Sequence, residues 1–202
     1  MTAGRLVLAS ASPRRVELLA QLGLHPRIHA ARVDETRRPN EHPALYVERL
    51  ALAKAEAVFR ELGHGHLVLG ADTTVAIDAD VLGKPAGRDE AVEMLMRLSG
   101  REHRVLTAVA LMGPEGEVRS RVSVSHVHFR ALDRHECEAY WESGEPRDKA
   151  GAYAIQGLGA VFVRRLEGSY SGVMGLPLFE TAELLAAAGI QVLAGARPGA
   201  HP

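Results

Sequence analysis

The chain has 202 residues, 47% of them hydrophobic, enough for one substantial core or two small lobes sharing a cleft. Basic and acidic side chains nearly cancel, 24 against 25, which argues against nucleic acid or an anionic membrane as a partner; any bound anion must meet a local cluster of cations. The single cysteine, Cys137, excludes an internal disulfide framework and fits a reducing compartment. Ser10, Ser12, Arg14, Arg15 and Glu17 interrupt what would be the apolar stretch of a secretory signal, and no apolar run is long enough to span a membrane. The expectation is a soluble cytoplasmic protein.

Strands and helices alternate along the chain, which predicts an α/β fold. Arg5–Ala9 reads as a short apolar strand followed at once by a helix over Pro13–Leu22, and Arg27–Val33 as a second strand. Tyr46, Val47, Leu50, Lys54, Ala57 and Val58 recur at helical spacing within Pro43–Leu62. A buried strand follows at His66–Gly70, extended by Thr73–Ile77, with a tight turn at Asp78–Ala79–Asp80. A helix over Asp89–Leu98 takes Asp89 as its N-cap and has Gly100 past its end. His103–Met112 and Val118–Phe129 alternate around Gly113–Pro114–Glu115–Gly116 as a β-hairpin. A helix over Asp133–Ser143, a strand over Ala160–Glu167 and a last helix from Leu176–Pro177 to just before Gly189 complete the order. No repeat or low-complexity linker divides the chain, so residues 1–194 read as one domain, bilobed at most, and 195–202 as a disordered tail.

Three polar clusters interrupt this pattern. In the first, Ser10 and Ser12 precede Pro13, which suits the first helical position, and Arg14 and Arg15 then stand in the first turn. The helix dipole is positive there, so two arginines at that end point to a missing anion, against the alternative that both turn to solvent. In the second, Asp72 lies just past the apolar run Leu67–Gly70, where a carboxylate can hold Mg²⁺ or Mn²⁺ or deprotonate a water, although one Asp in a turn is also a common cap. Asp34–Glu35 offers a second acidic site if its loop folds over the same cleft. The third is Asp148–Tyr153 with Ile155–Gly157, where Gln156 can present its amide to a base edge or serve simply as a loop residue.

Lysine usage is selective. Of the 24 basic residues only three are lysines, and Lys54, Lys84 and Lys149 all fall within or beside these clusters. A position that stays Lys in an arginine-rich chain is a candidate for needing a compact ammonium. Other signals carry less. His126 and His128 share a strand face but lack a third ligand at convincing spacing, Cys137 reads as a packing residue, and Gly157–Leu158–Gly159 lacks the rest of a dinucleotide fingerprint.

Six segments taken in order, SASPRR (Ser10–Arg15), GADTTV (Gly70–Val75), GKP (Gly83–Pro85), LSG with His103 and Val105 (from Leu98), DKAGAYAIQG (Asp148–Gly157) and GLP (Gly175–Pro177), resemble the Maf family from about Leu6 to Leu185. The resemblance implies an α/β fold of the Maf and inosine-triphosphatase type, a long twisted mixed sheet flanked by helices with a nucleotide cleft between two lobes. It implies hydrolysis of a nucleoside triphosphate between the α- and β-phosphates with a divalent metal, Mg²⁺ or Mn²⁺. By motif, Asp72 would activate water, Glu35 would assist at the metal, and Arg14, Arg15, Lys54 and Lys84 with Ser10 and Ser12 would hold the triphosphate. Arg14, Thr73 and Gln156 match members that prefer dTTP and UTP; the branch directed at 7-methyl-GTP typically has Trp, Gln and Glu there. The rival expectations are that 7-methyl-GTP-type enzyme and a nucleotide-binding regulator of septum formation that needs no turnover. A homodimer is compatible with the resemblance.

Overall fold

The computed structural model describes residues 6–193, so the expected tail at 195–202 and the start of the first strand at Arg5 lie outside the described residues. The elements are β1 (Leu6–Leu8), α1 (Pro13–Gln21), β2 (Arg27–Ile28), α2 (Pro43–Leu62), β3 (Leu67–Ile77), β4 (Asp80–Leu82), α3 (Arg88–Leu98), β5 (Glu102–Met112), β6 (Val118–Phe129), α4 (Arg134–Glu142), β7 (Val163–Glu167), α5 (Tyr170–Met174) and α6 (Leu178–Ala187). One mixed sheet of seven strands runs in the order β2-β1-β3-β5-β6-β7, with β4 paired to the far end of β3. β1 is parallel to both β2 and β3, and the other pairings are antiparallel. The α/β architecture and the long β5–β6 hairpin follow the sequence pattern.

Strand alternation sorts the core. Even-numbered positions of β3 and their partners on β5, such as Val68, Ala76, Ala108 and Ala110, pack beneath α2 with Val47, Ala51, Ala55 and Val58. Odd-numbered positions face the other way and divide into two apolar clusters. Leu67, Leu69, Ala71 and Val109 meet α1 and α6 through Leu18, Leu19, Leu184 and Leu185. Val75, Ile77 and Val105 meet α3 and α4 through Val92, Leu95, Leu98 and Cys137. Between those clusters the same face carries the hydroxyls of Thr73 and Thr107, which are cross-strand partners. Across the described residues, no helix is long and apolar enough to cross a membrane.

Four expectations are corrected. Asp72 does not lie past the end of a strand: β3 continues through it to Ile77, because Thr73–Ile77 keeps pairing with β5 without a break. What ends nearby is β1, which pairs with β3 only as far as Leu69, while β4 first pairs at Val75. Asp72 therefore sits at a gap along one edge of β3. The second strand stops at Ile28, not Val33, because its partner β1 offers three residues before turning into α1. Asp89 lies inside α3; the N-cap is Gly87, and Glu90 reaches back to the backbone N–H of Ala86 at 2.6 Å. Residues 158–162 form a 3-10 turn before β7, and a separate short helix, α5, precedes α6. Sequence periodicity is too brief in either segment to show them.

Gly70 sets the distance between sheet and helix. A Cβ there would overlap the carbonyl oxygen of Ala51 and lie 2.8 Å from the Ala55 nitrogen, both on the backbone of α2. Neither can move without moving the helix. Gly70→Ala is accordingly expected to cost about 2–3 kcal/mol through overpacking. A thermal melt should show Tm reduced by roughly 5–10 °C; an unchanged Tm would mean that α2 is not seated this closely.

Candidate active site

A cleft of about 730 Å³ opens at the gap along β3. From the β1–α1 turn it receives Ser10, Ser12, Arg14 and Arg15; from β3, Asp72 and Thr73; from α2, Lys54 and Tyr46. Glu35 enters from the irregular stretch after β2, Lys84 from the turn after β4, and Lys149 and Gln156 from the connection between α4 and β7. The structure thus brings together all ten residues singled out by sequence. All three lysines line this cleft. Five cations, the lysines with Arg14 and Arg15, face three carboxylates, Glu35, Asp72 and Asp148. A chain with net charge −1 has gathered a local cationic excess, which favours an anionic ligand.

At its centre is a carboxylate–ammonium–carboxylate group. Lys54 Nζ lies 2.7 Å from Asp72 Oδ1 and 2.6 Å from Glu35 Oε1. Lys54 is one helical turn from Leu50 and two from Val47, so the same helical face that buries those residues delivers the ammonium to the sheet. Asp72, an even position of β3, points to that face two residues beyond Gly70. Burial pushes the Asp72 carboxyl up, the charge and hydrogen bond of Lys54 and the charge of Arg15 pull it back, and the balance leaves it above the ordinary aspartate value of 3.8. Burial also acts most strongly on Glu35, but there the hydrogen bond and charge of Lys54, with Lys84 and Arg15, outweigh it and hold the carboxyl below its usual range. Two carboxylates on one lysine are thereby pushed in opposite directions.

The phosphate-binding corner predicted from SASPRR takes a different form from simple capping. Ser12 makes no side-chain cap; its N–H is bonded to Ser10 Oγ at 3.2 Å. Arg14 reaches solvent in part and approaches Asp148 at 3.6 Å. Arg15 is buried, donating from Nε to the Gly175 carbonyl (2.8 Å), from one terminal nitrogen to Ser10 Oγ (3.0 Å) and from the other to Thr73 Oγ1 (3.3 Å). Every one of these acceptors is neutral, and among the described residues no carboxylate stands within ion-pair distance of it. A buried guanidinium needs a compensating anion, and burial already depresses its pKa.

Two residues near these groups went unrecognised in the sequence. Thr107 donates to the Gly172 carbonyl at 2.7 Å and stands 3.0 Å from Thr73 Oγ1. The Thr107 hydroxyl can offer its one proton to Thr73 Oγ1 as well, and Thr73 Oγ1, which also accepts from Arg15, thus stands between Arg15 and Thr107. The available signal was a lone hydroxyl in the apolar run Val105–Met112. Tyr46 looked like a core residue at helical spacing; instead its hydroxyl donates to the Glu35 carbonyl oxygen at 2.9 Å and fastens the stretch carrying Glu35. The signals set aside behave as packing and surface groups. His126 and His128 contact Glu102 at 2.8 and 3.1 Å, and the Cys137 thiol is buried, with desolvation pushing it up to about 11.

The description "Maf-like protein" belongs to the family whose profile matches residues 5–188. The chain belongs to the Maf family. It is 55% identical over 190 residues to the dTTP/UTP pyrophosphatase of Hahella chejuensis, covering 93% of this chain and 94% of that one. It is also 55% identical over 185 residues to the dTTP/UTP pyrophosphatase of Alkalilimnicola ehrlichii, covering 89% and 91%. Among solved structures, the dITP/XTP pyrophosphatase of Mycobacterium abscessus overlaps 90% of this chain and 92% of its own at 17% identity and a TM-score of 0.45.

The raised Asp72 pKa has a sign that stability can test. A carboxyl that binds its proton more tightly in the folded state stabilises the fold below its unfolded pKa and loses that contribution as pH rises through the folded pKa. At neutral pH the ionised Asp72 therefore weighs against folding. Asp72→Asn is expected to melt at a higher temperature than the parent at pH 7, with the difference shrinking toward pH 4. A mutant that melts lower at pH 7 would contradict this reading of the group.

Proposed function

We propose that this protein hydrolyses dTTP and UTP to the nucleoside monophosphate and pyrophosphate. The observation that carries the reading is the pairing, in one cleft, of a buried guanidinium that meets no carboxylate at ion-pair distance among the described residues with a carboxylate whose pKa is raised. The first asks for a polyanion, and the second is a stronger base than an ordinary aspartate. The names of relatives at 55% identity over most of both chains support the same substrate class.

In this reading Arg15, Arg14, Lys84 and Ser10 bind the phosphate chain, and the two donors of Arg15 that its three acceptors leave unused face the anion. Asp72 accepts a proton from the attacking water. The water oxygen bonds to the α-phosphorus, the bond from that phosphorus to the bridging oxygen breaks, and the electron pair leaves on pyrophosphate. Lys54 keeps Asp72 ionised until the proton moves, and Lys84 offsets the charge that grows on the leaving group. The residues fit a divalent cation of the Mg²⁺ type: Asp72 and Glu35 are hard oxygen donors, and such a cation normally takes one or two carboxylates and fills its remaining positions with phosphate oxygens and water. No group of three or more His, Cys, Asp or Glu able to hold a metal occurs among the described residues. When bound with the triphosphate, Mg²⁺ or Mn²⁺ would neutralise phosphate charge and lower the pKa of the water.

Base choice rests on Gln156, which faces the cleft, and on Arg14 and Thr73. A carboxamide offers one acceptor and one donor side by side, matching the N–H and carbonyl that thymine and uracil share on their pairing edge. The two bases differ only in a methyl group away from that edge, which accounts for one site accepting both.

The deciding assay is pyrophosphate release from dTTP, UTP, CTP, 7-methyl-GTP and the purine triphosphates, with Mg²⁺ or Mn²⁺ and with EDTA. Metal-dependent release from dTTP and UTP is expected, with Asp72→Asn slower by about 10²–10⁴-fold, the usual contribution of a positioned base. Release mainly from 7-methyl-GTP would overturn the base assignment, and binding without any release would favour the regulatory role. The acid limb of kcat/KM should fall at a pH above the ordinary aspartate value of 3.8, since Asp72 must be ionised. An acid limb absent down to that value would remove Asp72 as the base.

A further inference from the structure

Gln156 has no protein hydrogen-bond partner for its own side chain among the described residues, so what the protein holds in place is the backbone that carries it. That backbone is fastened on both sides to one pair of residues. Before Gln156, the Ala154 N–H donates to the Tyr140 hydroxyl oxygen at 3.1 Å. After it, the N–H groups of Leu158 and Gly159 donate to the two carboxylate oxygens of Glu145 at 2.8 and 3.0 Å. The Tyr140 hydroxyl in turn donates to Glu145 Oε1 at 2.5 Å, closing the arrangement.

The pair is seated rigidly. Tyr140 lies in α4, whose first turn is held by a reciprocal Asp133–Glu136 cap, and its ring meets Phe162 edge-on at 5.0 Å within the apolar cluster beneath α3. Glu145 follows across Gly144, which takes the left-handed conformation (φ 78°). At two positions the turn lies so close to this pair that a side chain has no room. A Cβ on Gly157 would overlap the Glu145 carboxylate, and one on Gly159 would lie 2.7 Å from the Tyr140 hydroxyl. The glycines that make an incomplete dinucleotide fingerprint thus have another reason to be there: they let the backbone reach the carboxylate.

We propose that Tyr140 and Glu145 are positioning residues for base recognition, holding the 154–159 turn so that Gln156 addresses the pyrimidine edge. This rests on the reading of Gln156 as the base-contacting residue. Glu145 suits the task because an ionised carboxylate only accepts, and it meets three donors here. Burial raises its pKa, but the hydrogen bonds from Tyr140, Gly159 and Leu158 outweigh that and keep it ionised, while burial keeps Tyr140 protonated as a donor. An amide in place of the carboxylate would put an NH₂ group against a donor and release part of the turn.

The test is Glu145→Gln, with Tyr140→Phe as a second variant of intact shape. In Glu145→Gln, amide exchange at Leu158 and Gly159 should accelerate by about tenfold or more, with the sheet unchanged. KM for dTTP and UTP should rise about tenfold with kcat within about threefold, because a loosened turn weakens binding equally in ground and transition states. Inhibition by pyrophosphate, which needs no base contact, should stay as in the parent. Gln156→Ala should raise KM in the parent yet add less than about twofold in the Glu145→Gln background, since the two act as one unit. Faster exchange with an unchanged KM, or effects of the two substitutions that simply multiply, would overturn the proposal. A parent protein that neither binds nor cleaves dTTP or UTP would instead bring down the reading of the cleft itself, and the proposal with it.

Discussion

Asp72 is taken out of water in the middle of a long strand, and an ionised carboxylate there is costly unless a cation is brought to it. Lys54 brings that cation at 2.7 Å, and its own burial is compensated in turn by Glu35 at 2.6 Å. Much of the surrounding architecture serves this contact. Gly70 lets α2 lie against β3 closely enough for a lysine on its buried face to reach the sheet. The short β1 leaves the edge of β3 open beside Asp72, so the carboxylate is buried yet borders a cleft. Tyr46 ties the chain carrying Glu35 back onto α2. The same group explains how two carboxylates sharing one ammonium diverge: the more buried one becomes more basic and the more exposed one more acidic.

The corner built around Arg15 follows a complementary logic. Arg15 is fixed by three neutral acceptors drawn from the β1–α1 turn, from β3 and from the chain after α5. These set its orientation without cancelling its charge, leaving the charge for a ligand. Thr73 and Thr107 extend the arrangement across the sheet, where they break the odd-numbered face between its two apolar clusters. The cleft thus lies where the apolar pattern fails. A polar strip between two cores costs less when hydroxyls pair with each other and with carbonyls than when they stand alone.

Much of this was legible in the sequence because the signals are local. The α2 helix declares itself by the spacing of Val47, Leu50, Lys54 and Val58, with a lysine on the otherwise apolar face. The β5–β6 hairpin follows from alternation around a Pro–Glu–Gly turn. Arg14 and Arg15 at the positive end of α1 raised a missing anion as one reading beside two arginines turned to solvent. Other features were hidden for definite reasons. Asp72 seemed to end its strand because Gly70–Asp72 interrupts the apolar run, and only the β5 partner shows that pairing continues. Thr107 gains its role from register with Thr73, a relation 34 residues apart in the chain. The turn around Gln156 looked like a glycine-rich loop, and the carboxylate that shapes it lies outside the motif.

By itself, the sequence determined the order and type of most elements, the absence of a disulfide framework, and the residues with chemistry to offer. Hydrophobic periodicity, capping and charge are read over a few residues, and those are local properties of a chain. Only the tertiary structure decided which cations meet which anions. Arg14 and Arg15 are neighbours, yet one reaches toward Asp148 in partial contact with solvent while the other is buried with no carboxylate at ion-pair distance among the described residues. Glu35 and Asp72 are both carboxylates with a lysine, yet their pKa values move in opposite directions. Burial and distance, which set the balance between desolvation and Coulomb attraction, do not exist until distant segments have packed.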